Sequence, residues 1–404
     1  MLVLSGATLV LPDRLISPGT LVIDGDRIVE IRSGGPDRPN GSGLPLHGHV
    51  IAPGFVDVHV HGVAGIDALD GGDAIARMAA QLPRFGVSAF CPTTVACGPT
   101  ALRQLLTQVE QVRANPPGGS SRVLPAHLES NFINPDYRGA QPLACLRSAR
   151  EALDRFGEPR QRLNSDRHAF DGDDILHEIV RAAPDVGIVT LAPEMDGALD
   201  LIGFLTARGF RVSLGHSSAT YDEAMAAVAA GARQATHLFN RMPPISHRAP
   251  GLAGAVLQTD DLAAEIIGDA VHVHPAMVRA VVAAKRPSRV LAITDATAAA
   301  ALPEGTRTRL GGQVIVAGPT AAHLDDGTLA GGTTTMDGIF RTLVNRIGLS
   351  LVDSAMMCAT TPARELGLVG HGVLAVDAVA DLAVLDATLS VVQTYVGGSL
   401  VHSR

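Results

Sequence analysis

The stretch 54-GFVDVHVHG-62 reads as a short apolar strand that finishes in two histidines, His59 and His61, one residue apart. Seven further runs follow the same plan, apolar and then polar or ionisable: 86-GVSAFCPTTV-95, 122-RVLPAHLES-130, 187-GIVTLAPE-194, 211-RVSLGHSS-218, 233-RQATHLFN-240, 263-AAEIIGDAVHV-273 and 289-RVLAITDAT-297. Most are separated by enough chain for a helix. Such a rhythm predicts an α/β fold, a (β/α)8 TIM-like barrel, in which side chains at the carboxyl ends of the strands converge on one face. Five of the endings supply His59 with His61, Glu129, His216, His237 and Asp295. Residues far apart in sequence can then surround one ion, so the barrel is read as a metallo-barrel.

Both ends of the chain depart from this rhythm. Residues 1–53 alternate β-type stretches with turns: 2-LVLSGATLV-10, then 20-TLVIDGDRIVEI-31 with its turn at Asp24-Gly25-Asp26, then the turn-rich 33-SGGPDRPNGSG-43. The same style returns in 372-GVLAVDAVADLAVLD-386 and 390-SVVQTYVGGSLV-401. The expected organisation is therefore a small β-sandwich built from residues 1–53 and 372–404, with the catalytic barrel, 54–371, inserted between them. Within the barrel, residues 139–172 are long for a βα connection, and such insertions on the catalytic face shape substrate pockets.

Composition narrows the function classes. At 404 residues with 46% apolar and 18% charged side chains, the chain can bury a large core. A formal charge of −8 and the lack of any Lys/Arg run argue against nucleic acid or an anionic membrane as partner. With no Trp, three Tyr and ten Phe, an aromatic stacking platform is not expected. Cys91, Cys97, Cys145 and Cys358 show no paired spacing, and no long apolar span occurs, which reads as a cytoplasmic enzyme.

Two histidines at alternate positions of a strand project from the same side. Taken alone, that pair is as readily a hydrogen-bonded structural feature. Glu129, His216 and His237 shift the balance, because each ends a different expected strand, and a carboxylate with imidazoles suits a borderline divalent ion. Zn²⁺ leads, with Fe²⁺, Co²⁺ and Mn²⁺ open; His59 and His61 give capacity for a second ion. Asp295, alone an N-cap carboxylate, can beside an activated water accept a proton and return it to a leaving nitrogen. His272 ends the seventh run and suits polarising a carbonyl.

These residues carry a resemblance over nearly the whole chain. In 52-APGFVDVHVHG-62, 127-HLE-129 with 132-FINPDYRGA-140, 214-LGHSSAT-220, 235-ATHLFNRMPPISHRAPGLAGAV-256, 294-TDAT-297 and 327-GTLAGGTTTMD-337, the sequence resembles the amidohydrolase superfamily and, within it, the N-acetylglucosamine-6-phosphate deacetylases. The stretch from Thr236 to Pro244 with Arg248 and its PGLAG tail is the most specific. The resemblance implies Glu129, His216 and His237 as principal metal ligands, with His59 and His61 completing a second site in members with two metals. It implies Asp295 as acid/base and His272 as a substrate contact near the carbonyl, also counted as catalytic. Sugar binding falls on Ala140, Asn240 and Arg241, with the backbone of Leu329, Ala330 and Gly331 lining the pocket. Arg248 resembles an arginine that reaches a 6-phosphate across a dimer interface, which implies a homodimer.

Two places depart from the family pattern. The chain has Ser130 and Asn131 where the family reads Gly-Pro, and Gln141 where it reads His. Both changes are expected beside the sugar, where Ser130 and Asn131 would shape the pocket floor and Gln141 would offer a neutral amide in place of a titratable ring. The expected reaction is metal-dependent hydrolysis of the acetamide of N-acetylglucosamine-6-phosphate. An unphosphorylated N-acetylglucosaminyl conjugate, another amidohydrolase substrate such as an N-acyl amino acid or cyclic ureide, and a non-catalytic sugar-phosphate-binding barrel are the alternatives.

Overall fold

Strands Phe55–Val60, Val87–Thr94, Ala126–Glu129, Val186–Leu191, Arg211–Leu214, Gln234–Ala235, Ala263–Ile267 and Val290–Ile293 lie side by side in chain order and all run parallel in a computed structural model. The eighth returns to the first: Val60 bridges Ala296, and the Asp295 N–H donates to the His59 carbonyl at 3.0 Å. The structure describes residues 1–34, 43–157 and 170–404. Residues 35–42 of the turn-rich stretch and 158–169 of the long insertion lie outside them.

Helices follow the strands as an outer layer. Ala74–Gln81, Pro99–Ala114, Gly172–Arg181, Ala198–Thr206, Tyr221–Ala230, Gly251–Gln258 and Pro275–Lys285 succeed the first seven strands in turn. Local chemistry starts them: Thr220 accepts from the Glu223 N–H at 3.3 Å while the Glu223 carboxylate accepts from the Thr220 N–H at 2.8 Å, a reciprocal cap. Alternate strand residues such as Val189, Leu191, Ala264, Ile266, Val290 and Ala292 face the helices in the main core. Their neighbours Ile188, Ala263, Ile267, Leu291 and Ile293 join Val56, Val58, Ala89 and Cys91 in a second apolar cluster.

The two ends of the chain meet in one eight-stranded sheet. Leu2–Val10 pairs antiparallel with Leu15–Asp24, which turns at Gly25 into Arg27–Ser33. Val50–Pro53 links this meander to Leu382–Leu385, followed by Val391–Val396 and Ser399–Ser403. Residues 373–381, expected as strand, instead pack irregularly: Leu374, Ala378 and Ala380 enter the core of this sheet with Leu4, Leu9 and Ile28.

One element had no counterpart in the sequence reading. After the eighth strand, Arg307–Leu310, Gln313–Ala317, Ala321–Leu324 and Leu329–Gly332 form an antiparallel meander of four strands. Its last strand leans on the barrel: the Gly332 N–H donates to the Asp295 carbonyl at 2.7 Å, and Ala296 bridges Gly332. A Cβ at Gly331 would lie 2.7 Å from that same carbonyl, so only glycine permits the approach.

At the opposite, amino-terminal mouth the barrel is tied by charge. Glu365, on the short helix Thr361–Glu365, meets Arg211 at 2.5 Å and Arg289 at 2.7 Å, residues that open or precede the fifth and eighth strands. Burial opposes the charge of Glu365, but Arg364, Arg211 and Arg289 outweigh it and hold its carboxyl below its ordinary range. A depressed carboxyl adds stability above its unfolded pKa and loses it as pH falls through the folded value. Glu365→Gln should therefore destabilise the fold by about 2–3 kcal/mol at pH 7, with the penalty shrinking toward pH 4. Urea titrations at both pH values check this; an equal penalty at each would contradict the charge-based account.

Candidate metal centre

Four barrel rims bring their polar ends to one buried point. Glu129 closes the third strand; His216 and His237 stand just beyond the fifth and sixth; Asp295 stands just beyond the eighth. Their short distance past the strand ends has a backbone cost. His216, His237 and Asp295 adopt φ of +49°, +31° and +48°, a region that side chains other than glycine occupy at about 1–3 kcal/mol each. Neighbouring groups hold them there: the His216 ring gives its Nδ1 to the Tyr137 carbonyl at 2.8 Å, and Glu194 accepts from Ser217 Oγ at 2.7 Å and the Ser218 N–H at 2.6 Å.

Glu129 Oε1 lies 2.8 Å from His216 Nε2 and 2.9 Å from His237 Nε2, and those two nitrogens are 3.0 Å apart. Because His216 Nδ1 must carry the proton that the Tyr137 carbonyl accepts, its Nε2 in the neutral ring is a lone pair facing a carboxylate. Convergent lone pairs of this kind repel unless a cation lies among them, so the donor set fits a divalent metal. His59 and His61 adjoin it, their Nε2 atoms 3.2 Å apart and each 3.3 Å from Asp295 Oδ1; Glu129 lies 3.8 Å and 3.6 Å from them. The pairing of their strand with the second slips register between Asp57 and Val60, the segment that carries His59. Burial pushes the Asp295 carboxyl up, but its hydrogen bond with His61 and the nearby His59 bring it down to about 2, leaving it ionised.

Behind these candidate ligands lies a buried polar layer. Glu265 Oε2 is 2.9 Å from His59 Nδ1, and Gln234 donates to its other oxygen at 2.5 Å. Burial works against this carboxylate, yet His127 and His59 keep it below its ordinary range. A carboxylate on the far nitrogen fixes an imidazole's tautomer and turns Nε2 toward a metal. The sequence reading passed over Glu265 because 263-AAEII-267 scans as an apolar run; the signal was a charged residue alone in that run. Asp269 was passed over too: its Oδ2 lies 2.6 Å from His272 Nδ1. Burial lowers the His272 pKa, but the bond to Asp269 more than offsets this, and Nε2 is left buried without a partner.

A cleft of about 490 Å³ opens above the centre. Of the residues expected at the sugar, Ala140, Gln141, Asn240, Arg241, His272, Leu329, Ala330 and Gly331 line it, while Asp136, Tyr137, Phe239 and Met242 had not been singled out. Gln141 is committed: its Nε2 donates to Glu129 Oε2, and its Oε1 accepts from the Ala96 N–H at 2.7 Å. Ser130 and Asn131 stand outside the lining. Ser130 donates to the Thr190 carbonyl, and Asn131 donates to the carbonyls of Cys97 and Cys145 at 2.8 Å and 2.7 Å, tying two loops from behind the wall. Arg248 is exposed and also outside the lining of this chain's own cleft.

Comparison with known proteins gives the same direction. The amidohydrolase family profile matches residues 50–401. An N-acetylglucosamine-6-phosphate deacetylase of Rattus norvegicus is 38% identical over 88% of this chain and 84% of its own length. An N-acetylgalactosamine-6-phosphate deacetylase of Escherichia coli O157:H7 is 33% identical, with 87% of each covered. A solved mutant of the N-acetyl-D-glucosamine-6-phosphate deacetylase of Mycobacterium smegmatis, in complex with N-acetyl-D-glucosamine-6-phosphate, superposes with a TM-score of 0.86 at 32% identity, covering 100% of this chain and 99% of that one.

If Glu265 sets the orientation of His59, Glu265→Gln should leave the fold intact and weaken divalent-metal affinity about 10–100-fold. Competition against a chromophoric chelator measures this. Unchanged affinity would remove Glu265 from the metal centre.

Proposed function

The chain belongs to the N-acetylglucosamine-6-phosphate deacetylase family of the amidohydrolases, and from that premise we propose that it hydrolyses the acetamide of N-acetylglucosamine-6-phosphate to glucosamine-6-phosphate and acetate. What carries the reading is the meeting of Glu129, His216 and His237 with an ionised Asp295 under a cleft that also presents His272. Glu129, His216 and His237 would hold one ion, Zn²⁺ in this reading, and His59 with His61 would hold a second. A bound divalent ion acidifies water toward neutrality and supplies positive charge to the acetyl oxygen.

The side chains divide the remaining work. Asp295 accepts the proton of the attacking water, and after the tetrahedral carbon forms it returns that proton to the amine nitrogen as the C–N bond breaks. His272, anchored through Nδ1 to Asp269 and favoured in its cationic form, donates from Nε2 to the acetyl oxygen as charge gathers there. Asn240, Arg241 and the backbone of Ala140, Leu329, Ala330 and Gly331 meet the sugar. Gln141, already committed to Glu129, serves the ligand before the substrate.

The phosphate contact falls to Arg248, whose exposed position fits a reach into the neighbouring cleft of a homodimer. Among the described residues that line this chain's own cleft, Arg241 is the single arginine, which keeps the unphosphorylated conjugate as the second reading. The unpaired Cys91, Cys97 and Cys358, all buried with burial raising their thiols, accord with a cytoplasmic, reducing setting.

Asp295→Asn should retain metal while kcat falls about 10²–10⁴-fold. Acetate-release assays with metal-defined protein decide this, and near-normal turnover would assign the base elsewhere. On N-acetylglucosamine with and without the 6-phosphate, kcat/KM should favour the phosphorylated sugar at least a hundredfold, and Arg248→Ala should remove most of that preference by raising KM. Equal kcat/KM for the two sugars would favour the unphosphorylated conjugate.

A further inference from the structure

The mouth of the barrel opposite the catalytic cleft holds a separate cavity of about 440 Å³ whose wall includes Arg211, Arg233, Arg286, Arg289 and Arg364. Three carboxylates share the wall, Asp260, Asp261 and Glu365, so cationic groups outnumber anionic ones in a chain whose formal charge is −8. Glu365 is already divided among Arg211, Arg289 and Arg364, and Asp260 is engaged by Arg286 at 2.9 Å. Arg233 uses one nitrogen on the carbonyls of Val228 and Ala232, at 2.9 and 2.7 Å.

Two observations point beyond a structural ion-pair cluster. The Arg289 Nε is buried without a hydrogen-bond partner, an unmet donor in the guanidinium that also grips Glu365. Arg286 holds φ +63° and ψ 152°, a backbone region that suits glycine, and strain of this kind gathers at binding sites. Lys285, fully buried beside them, donates its ammonium to the Thr259 carbonyl; burial and the neighbouring Arg289 push its pKa down to about 8. Guanidinium forks bind tetrahedral oxyanions through paired hydrogen bonds, and crowded positive charge at reduced hydration gains most from such a partner.

We propose that this cavity is a second ligand site that binds the phosphate group of a small molecule, distinct from the catalytic cleft. Arg286, beyond the nitrogen that meets Asp260, and Arg233, beyond the nitrogen that meets the two carbonyls, supply the donors, and the Glu365 cluster forms the rigid floor. The site does not depend on what the catalytic centre hydrolyses.

Calorimetric titration at fixed ionic strength, with inorganic phosphate in one arm and glycerol 3-phosphate in the other, tests it on the intact protein. Saturable binding is expected in at least one arm, and the tighter arm separates free phosphate from a phosphate ester as the ligand. Arg286→Gly relieves the strained backbone, so it should raise Tm while weakening binding at least fivefold; Arg233→Ala should weaken binding by a similar factor. Arg248→Ala, which removes the phosphate contact assigned to the catalytic cleft, should leave this isotherm in place. Binding within fivefold of the parent in Arg286→Gly, loss of the isotherm in Arg248→Ala, or no saturable binding in either arm would overturn the proposal.

Discussion

Lone pairs that converge in a space too small and too dry to hydrate them separately are the constraint on which this molecule depends. The carboxylate of Glu129 faces two imidazole nitrogens, with His59 and His61 one step away, all within the upper layer of a closed barrel. The arrangement makes little electrostatic sense as an end in itself. It becomes favourable when positive charge lies among the donors, and the hydrogen bonds behind them, His216 to Tyr137 and His59 to Glu265, are oriented to keep the inner nitrogens available.

Those outer partners explain why the barrel interior is layered. Toward the carboxyl end it carries His127, Thr190, Ser213, Thr236 and Glu265, a polar group joined by short contacts such as His127 Nε2 to Thr190 Oγ1 at 2.8 Å and Thr190 Oγ1 to Thr236 Oγ1 at 2.7 Å. Two of the same strands contribute Ile188 and Ala263, and the eighth adds Leu291 and Ile293, to an apolar cluster. A satisfied polar network is rigid and unforgiving of partial disruption. Here it is the platform on which the candidate ligands stand, while the apolar cluster and the Glu365 tie keep the strands registered beneath it.

Much of this was legible in the sequence. Eight apolar runs with polar endings announce a parallel barrel, because strands buried on both faces read as continuous apolar runs and because ligands gather at their carboxyl ends. The convergence of Glu129, His216 and His237 was legible for the same reason. Glu265 was hidden because its partner is 206 residues away, and an isolated charge within an apolar run has no local meaning until the barrel closes. The meander from Arg307 to Gly332 was hidden because its strands are short and its pairing local, so they read as loop after the last barrel strand. Ser130 and Asn131 were expected at the pocket floor but stand outside the cleft lining, because side-chain direction is decided by which backbone carbonyls lie within reach, here those of Thr190, Cys97 and Cys145.

That meander has an implication for divergence. The groups that would break the amide are mounted on the barrel rim, whereas Leu310, Leu329, Ala330 and Gly331 belong to an appended flap that meets the rim through the backbone of Asp295, Ala296 and Thr297 and is tied to Asp67 and Ala140 through Gly311 and Gln313. A scaffold so divided can explore new acylated compounds by remodelling its flap while the hydrolytic hardware stays fixed.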